Sequence, residues 1–254
     1  MSNQSTYNSE KVVKEYCSLD GLQEPEKTIL KHIEPKLSQM RILDLGVGGG
    51  RTTPYFGFPA KEYVGVDYSP KMVQSCLERF SPLPKNISFF QGDARSLSSL
   101  RDSSFDFILF SFNGIDYSSH QDRLLTLQEI KRVCRSKGNF FFSTHNLQAV
   151  DKLFIIQKTL NPAKMLWRVF RNYFLRLNNQ KLTKIKQSEY SIINDGAHNF
   201  NLKTHYISPK FQINELKEAE FSNVKVYGLN GQKIVSAEEL DSNTDGWLYY
   251  FCQR

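Results

Sequence analysis

The sequence predicts an α/β fold: a mostly parallel sheet with helices on both faces. Strand-length apolar runs alternate with amphipathic runs of helical period from residue 41 to residue 146. The connections between them suit strand–helix–strand crossovers, which join parallel neighbours and cover both faces of a sheet. A glycine-rich turn, in "ILDLGVGGGRTTPYF", follows the first of these strands. At 254 residues the chain is long enough for one α/β domain with a sizeable core.

Residues 9–39 read as helical, in "SEKVVKEYCSL" and then "QEPEKTILKHIEPKL", where Pro25 suits a first turn. "RILDLG" and "EYVGVD" are the first two strands. "SPKMVQSCLERF" opens with Ser69 as N-cap and Pro70 at the first helical position, and Met72, Val73, Cys76, Leu77 and Phe80 keep a 3.6-residue period. "ISFFQGD" and "FDFILFSF" are strands three and four. "DRLLTLQEIKRVCRSKG" reads as a helix closing on Gly138, and "NFFFSTH" as strand five. Residues 150–178 then look helical, and "YSIINDGAHNFNLKTHYIS" suggests a hairpin turning at Asp195-Gly196. "SPKFQINELKEAEF" repeats the Ser-Pro helix start. "SNVKVYGLNG" and "GWLYYFCQR" are strands six and seven, read as antiparallel to each other.

Composition narrows the function classes. The N-terminus "MSNQSTYNSEK" lacks an apolar segment of the secretory kind, and no apolar run reaches membrane-spanning length, so the expectation is a cytoplasmic protein. Cys17, Cys76, Cys134 and Cys252 lack metal-binding or paired spacing. Cys76 and Cys134 fall on apolar faces of expected helices, as reduced core thiols. The net charge of +7 is concentrated: residues 147–188 carry nine basic side chains against Asp151 alone, a local charge of +8.

A glycine-rich turn between strand and helix brings a ligand close to a helix N-terminus. "GGGRTT" lacks the Gly-Lys-Ser/Thr of a P-loop, and Arg51 stands where a dinucleotide fingerprint has its third glycine. The spacing is instead Asp44, Gly46, Gly48, Gly50. Asp67 ends the second strand, where a carboxylate can accept both ribose hydroxyls, a feature shared with NAD sites. Asp93 ends the third, beside the place for an adenine amino group. Asp44 is too near the turn for ribose and either fixes the loop or meets an ammonium group. Adenosine at one end, an amino acid at the other and no phosphate describe S-adenosylmethionine.

On these residues the sequence resembles the class I S-adenosylmethionine-dependent methyltransferases of the small-molecule group. "ILDLGVGGG", "VGVDYSPKMV" and "FFQGDA" resemble its first three motifs, and "FDFILFSF" with "EIKRVCRSKGNFFFSTHN" its later strands. The resemblance covers about residues 41–146, with weaker agreement over 208–254. It implies a Rossmann-like, seven-stranded sheet of order 3-2-1-4-5-7-6 in a single domain. That domain would comprise an N-terminal helical cap (1–40), a cofactor-binding core (41–146), a basic helix-and-hairpin insertion (147–206) and the C-terminal part of the sheet (207–254).

It further implies that Gly46, Gly48 and Gly50 approach the methionine portion and that Asp67 holds the ribose. Tyr68 and Met72 would flank the adenine, Asp93 and the Ala94 amide would meet its edge, and Ser111 and Phe112 would line the methionine end. Tyr16 either closes over the ligand or packs in the core. Arg51 either pairs with the cofactor carboxylate or is a solvated helix-start residue.

Methyl transfer from a sulfonium is an in-line displacement in which a protein supplies proximity and orientation, worth roughly 7–11 kcal/mol in well-aligned systems. A hydroxyl acceptor needs a base, and His145, after strand five, is the candidate; the alternative is a structural histidine. Asn113, Asp116 and Tyr117 follow strand four as substrate-side candidates, with Asp116 equally readable as a turn acid. His198, His205 and Tyr206 lie in the hairpin, facing either substrate or solvent. No metal is expected. The loop after strand four lacks a [DN]PPY nitrogen clamp, which favours an oxygen acceptor on a small molecule, glycan precursor or peptide and leaves aliphatic amines open.

The helix in "MLWRVFRNYFLRLNNQKLTKIK" reads as a lid packed through its apolar stripe with a solvated basic side. The alternatives are recognition of an anionic or lipid-linked substrate, or rest on a membrane surface. Nucleic acid is disfavoured for want of a recognisable binding module. The rival readings are an NAD-type oxidoreductase and a non-catalytic cofactor-binding partner protein.

Overall fold

The computed structural model describes residues 6–197 and 200–254. Two helices, α1 (Glu10–Cys17) and α2 (Glu24–Ile33), lead through a 3-10 turn into strand β1 (Arg41–Leu45). A short helix α3 (Thr53–Phe56), strand β2 (Glu62–Asp67), helix α4 (Pro70–Arg79), strands β3 (Ile87–Gln91) and β4 (Phe105–Phe110), helix α5 (His120–Val133) and strand β5 (Cys134–Asn146) follow. A 3-10 segment (Leu147–Phe154), helices α6 (Pro162–Asn178) and α7 (Leu182–Lys186), and strands β6 (Tyr190–Ile193) and β7 (Thr204–Ile207) come next. Helix α8 (Pro209–Glu218), strands β8 (Ser222–Tyr227) and β9 (Lys233–Ile234), helix α9 (Ala237–Ser242) and strand β10 (Trp247–Gln253) complete the chain.

Local chemistry fixes several starts. Ser69, Asn161 and Ser208 each precede a proline and accept a backbone N–H three residues on, from Met72, Lys164 and Phe211. At α2, Glu26 reaches back to accept the Gln23 N–H at 2.8 Å, one half of a capping box.

The main sheet runs β3-β2-β1-β4-β5-β10-β8-β9, parallel from β3 to β5 and antiparallel through β10 and β8. In register, Leu43 lies between Val64 and Ile108. Alternation along each strand sends neighbours to opposite faces. Leu43, Ile108, Phe140 and Phe142 pack with Leu127, Ile130 and Val133 of α5, while Ile42, Phe107, Leu109 and Phe141 pack with Ile29, Ile33, Val73 and Cys76.

Seven strands keep the expected order, but the sheet has ten. β9 adds to the edge at β8, and the β6–β7 hairpin joins the sheet itself. β5 continues to Asn146, beyond Phe142, the last residue it pairs with β4, and β7 takes over that edge, His145 opposite Tyr206. A buried strand edge needs a partner for its peptide groups, and β7 supplies it.

Two element boundaries differ from expectation. Helix α5 stops at Val133 because Cys134 already pairs with Phe105; Cys134 is thus a buried strand thiol. The helix expected over 150–178 is broken, because Asn161-Pro162 starts a new one.

Candidate active site

A cavity of about 770 Å3 opens at the carboxyl ends of β1 to β4. Its wall includes Gly46 and Gly48 after β1, Asp67 and Tyr68 after β2, Met72 on α4, Asp93 and Ala94 after β3, and Ser111, Phe112 and Tyr117 after β4. Tyr16 on α1 also lines it.

The glycine turn is tied to Asp67. Its carboxylate accepts the Gly48 N–H and the Ser69 N–H, both at 2.8 Å. Burial pushes its carboxyl above the ordinary range, against these backbone donors. Gly46 and Gly48 have φ of 62° and 55°, a left-handed conformation that glycine adopts without penalty. Gly49 is required for another reason: a Cβ there would sit 2.6 Å from the Cys17 Cα, so the N-terminal helix packs directly on this peptide. Gly50 lies off the cavity wall, facing Cys76 of α4 and Phe80 at its C-terminal end. Much of what comes so close to this backbone is the protein itself.

Asp44 and Arg51 also stand away from the cavity wall. Asp44 is buried beneath the turn and accepts the hydroxyls of Thr52 and Tyr63, each at 2.5 Å. Of its two readings, the geometry is that of fixing the loop. Burial pushes its carboxyl up to about 7, despite these two donors.

Arg51 is not a solvated helix-start residue: it is 8% exposed. Its guanidinium forms a two-pronged ion pair with fully buried Glu26, at 2.6 and 2.7 Å, donates to the Gly21 carbonyl and lies over the Phe112 ring. Glu26 also accepts the Ser111 hydroxyl. The carboxylate that Arg51 meets therefore belongs to α2.

Asp93 lines the wall, but its carboxylate is clasped by Arg95, at 2.6 Å, which also reaches Asp122 at 3.1 Å. Burial opposes its charge, yet the Arg95 hydrogen bonds hold its carboxyl below the usual range.

After β4 the backbone turns sharply, with Phe112 and Asn113 both at left-handed φ, 57° and 61°. Two consecutive non-glycine residues in this region carry strain of about 1–3 kcal/mol each, which accumulates at functional sites. Asn113 is buried off the cavity wall, its N–H donated to Ser143 Oγ.

Asp116 does not reach the cavity. It is fully buried and accepts from Arg123, Thr144, the His145 N–H and His145 Nδ1, at 2.6–2.7 Å. Burial opposes its charge, but the His145 hydrogen bond and the Arg123 charge hold its carboxyl low. His145 also lies off the wall, its ring against Tyr206 and Trp247. Tyr206 donates to Asp195 at 3.1 Å instead of facing the cavity. His205 is wholly buried, 3.3 Å from His120, and burial with the nearby Arg123 charge lowers it to about 3. His198 lies outside the described residues.

The cavity also recruits residues with little sequence signal. Tyr7 meets Tyr16 and Tyr117 edge-on, at 5.9 and 5.6 Å, so three phenol rings roof one end. The hairpin contributes Ile192, Asn194, Phe200, Asn201 and Lys203. Lys203 is exposed and makes no ion pair among the described residues. An aromatic residue in a polar leader and a polar hairpin loop carry no motif; only the chain path assembles them. Among the described residues, no group of three or more His, Cys, Asp or Glu could hold a metal ion.

The methyltransferase domain family matches residues 42–138. The chain is similar to the uncharacterized methyltransferase YcgJ of Bacillus subtilis strain 168, at 32% identity over 110 residues, 42% of each chain. It spans half or less of the length of the curated relatives it matches. Its fold is similar to an S-adenosylmethionine-dependent methyltransferase from Mesorhizobium loti, with TM-score 0.60, 18% identity, and 91% and 98% of the two chains covered. It is likewise similar to the 1,6-didemethyltoxoflavin-N1-methyltransferase of Burkholderia thailandensis, solved with S-adenosylhomocysteine, with TM-score 0.59, 13% identity and 98% and 84% covered. The chain thus carries a methyltransferase domain, at residues 42–138, within the fold of the class I S-adenosylmethionine-dependent methyltransferases.

Proposed function

We propose that this protein transfers a methyl group from S-adenosylmethionine to an oxygen of a small, anionic acceptor. The observation that carries the donor half is the convergence of the Gly46–Gly48 turn, Asp67 and Asp93 on one cavity. Its volume, about 770 Å3, falls within the roughly 300–1,000 Å3 of small-molecule sites. The residues present fit an adenosyl sulfonium ligand. The outer lone pairs of Asp67 would take the ribose hydroxyls, Tyr68 and buried Met72 would flank the base, and the Asp93–Ala94 edge would meet the amino group. Gly46, Gly48, Ser111 and Phe112 would hold the amino-acid end beneath Tyr16.

When bound, S-adenosylmethionine supplies an electrophilic methyl on sulfur and is left as S-adenosylhomocysteine. The chain's part is to orient the acceptor and exclude water. The roof of Tyr7, Tyr16 and Tyr117 performs the exclusion, and Lys203 draws an acceptor oxygen that arrives already ionised. Such an oxygen, a carboxylate above all, needs no base, and this is why His145 is assigned to holding Asp116 instead of to proton abstraction. Amine acceptors are the second reading, since one structural neighbour is an N-methyltransferase by its own description.

Calorimetry with S-adenosylhomocysteine tests the donor site. We expect binding by the wild type, at least tenfold weaker binding by Asp67→Ala, and none of NAD. No binding of S-adenosylhomocysteine by the folded protein would refute the proposal. Labelled donor incubated with cell extract then tests the acceptor: a methyl ester releases its label as methanol in alkali, whereas an N-methyl product retains it.

A further inference from the structure

Helix α6 is amphipathic and mounted the unexpected way round. At 100° per residue, Val169, Tyr173, Leu166, Leu177, Phe170, Phe174 and Trp167 sweep an unbroken arc of about 160°. This stripe was expected to pack on the domain. It faces outward instead: Leu166 is 72% exposed, Trp167 63%, Phe170 60% and Leu177 61%.

The polar side is the one that holds the helix to the protein. Asn172 donates to the Phe154 carbonyl, Arg168 to the Gln157 carbonyl and Arg171 to the Asp195 carbonyl, while Arg176 lies over the Phe154 ring. Leu175 is the buried anchor, in a cluster with Leu147, Val150 and Ile185. Ile155, Ile156 and Leu160, exposed just before the helix, add apolar surface. Contiguous apolar surface on this scale marks a binding face.

Charge selects the occupant. Lys164 in the first turn of the helix, and Lys158, Lys181 and Lys184 beyond its ends, are exposed and without ion pairs among the described residues, in a segment of net charge +8. A second copy would set two such segments against each other. An anionic bilayer complements the lysines and receives the aromatic and leucine side chains at its headgroup–acyl boundary.

We propose that α6 docks this protein, lying flat, on an anionic lipid surface. The Phe174 ring meets that of Phe200, 6.3 Å between centroids, and Phe200 lines the cavity. The docked face therefore adjoins the wall of the proposed active site, as entry of an amphiphilic acceptor from the membrane requires. Docking itself does not depend on the identity of the methylated compound.

The test is co-sedimentation of the full chain, without methyl donor, with vesicles of phosphatidylcholine alone and with roughly one-third phosphatidylglycerol. Binding to the anionic vesicles is expected, with a blue shift of Trp167 emission, and at least tenfold weaker partition to the neutral ones. Leu166→Ser/Phe170→Ser, at exposed positions, should lose at least tenfold in partition while keeping the wild-type thermal midpoint. Replacing these four lysines with glutamine should do the same and remove the dependence on salt. The proposal is overturned by failure to pellet with anionic vesicles, by equal pelleting of the apolar double variant, or by a dimer in ultracentrifugation that this variant abolishes.

Discussion

Replacing Arg51 by methionine should unfold the protein more readily without emptying its donor site. In the structure Arg51 neutralises Glu26, which is fully buried and also accepts the Gln23 N–H and the Ser111 hydroxyl. Arg51→Met leaves that carboxylate buried with hydrogen bonds but no counter-charge, a change that costs about 3–5 kcal/mol. Unfolding entropy near 2.1 cal/mol/K per residue gives roughly 0.5 kcal/mol/K for this length, so the thermal midpoint should fall by about 6–9 °C. Arg51→Met/Glu26→Gln removes the stranded charge and keeps an acceptor for Gln23. It should recover more than half of the loss, the non-additivity expected of a directly coupled pair. Differential scanning calorimetry of the ligand-free proteins measures both effects. S-adenosylhomocysteine affinity, determined below the lowered midpoint, should stay within about threefold of wild type, because Arg51 is spent on α2. An unchanged ligand-free midpoint together with at least tenfold weaker ligand binding would make Arg51 the partner of the cofactor carboxylate, and the reasoning would be wrong.

Four further outcomes follow from the same geometry. Gly49→Ala places a methyl 2.6 Å from the Cys17 Cα; it should displace α1, exposing the Tyr16 end of the cavity to protease and costing about 1–3 kcal/mol in urea unfolding. Asp44 holds a proton in the native state up to about pH 7, whereas the unfolded chain releases it near 3.9, so this group lowers stability as pH rises between those values, by roughly 4 kcal/mol in all. Asp44→Asn, which retains an acceptor for Thr52 and Tyr63, should therefore gain on the wild type from pH 4.5 to pH 8. Parallel urea midpoints across that range would contradict the burial argument. His205, lowered to about 3, acts oppositely: the unfolded chain binds its proton below about 6.5, so its contribution is lost as pH falls, and Asp44→Asn should show that loss more steeply than the wild type. His145→Ala removes a charged hydrogen bond to Asp116 and should lower the midpoint by about 2–6 °C while leaving S-adenosylhomocysteine affinity unchanged; at least tenfold weaker ligand binding would put the ring in the donor site.

Local signals are strongest where a short segment carries its own chemistry. The Ser-Pro helix starts, the alternation of strands with helices and the placing of Gly46, Gly48 and Asp67 at the strand ends are legible, because each depends on a turn, a cap or a strand end, whereas the order of the seven main strands and the place of Met72 followed from the family resemblance. Residues whose neighbours lie far off in the chain are less so. Arg51 finds Glu26, Asp116 finds Arg123 and His145, and Lys203 reaches the cavity from a hairpin more than a hundred residues past the glycine turn. The extra strands are hidden for the same reason: β7 pairs because β5 outruns β4, and neither length is meaningful alone.

Periodicity and turn chemistry act over a few residues, so a doubly covered sheet with a glycine turn and acids at its carboxyl edge is written into short segments of the chain. Which groups those acids and arginines meet, and which way α6 faces, depend on segments that come together through folding. An amphipathic helix shows the same spacing of apolar and polar residues whichever side it buries. Its mounting is set by Asn172, Leu175 and Arg171 finding Phe154, Ile185 and Asp195, contacts that exist only after the chain has folded.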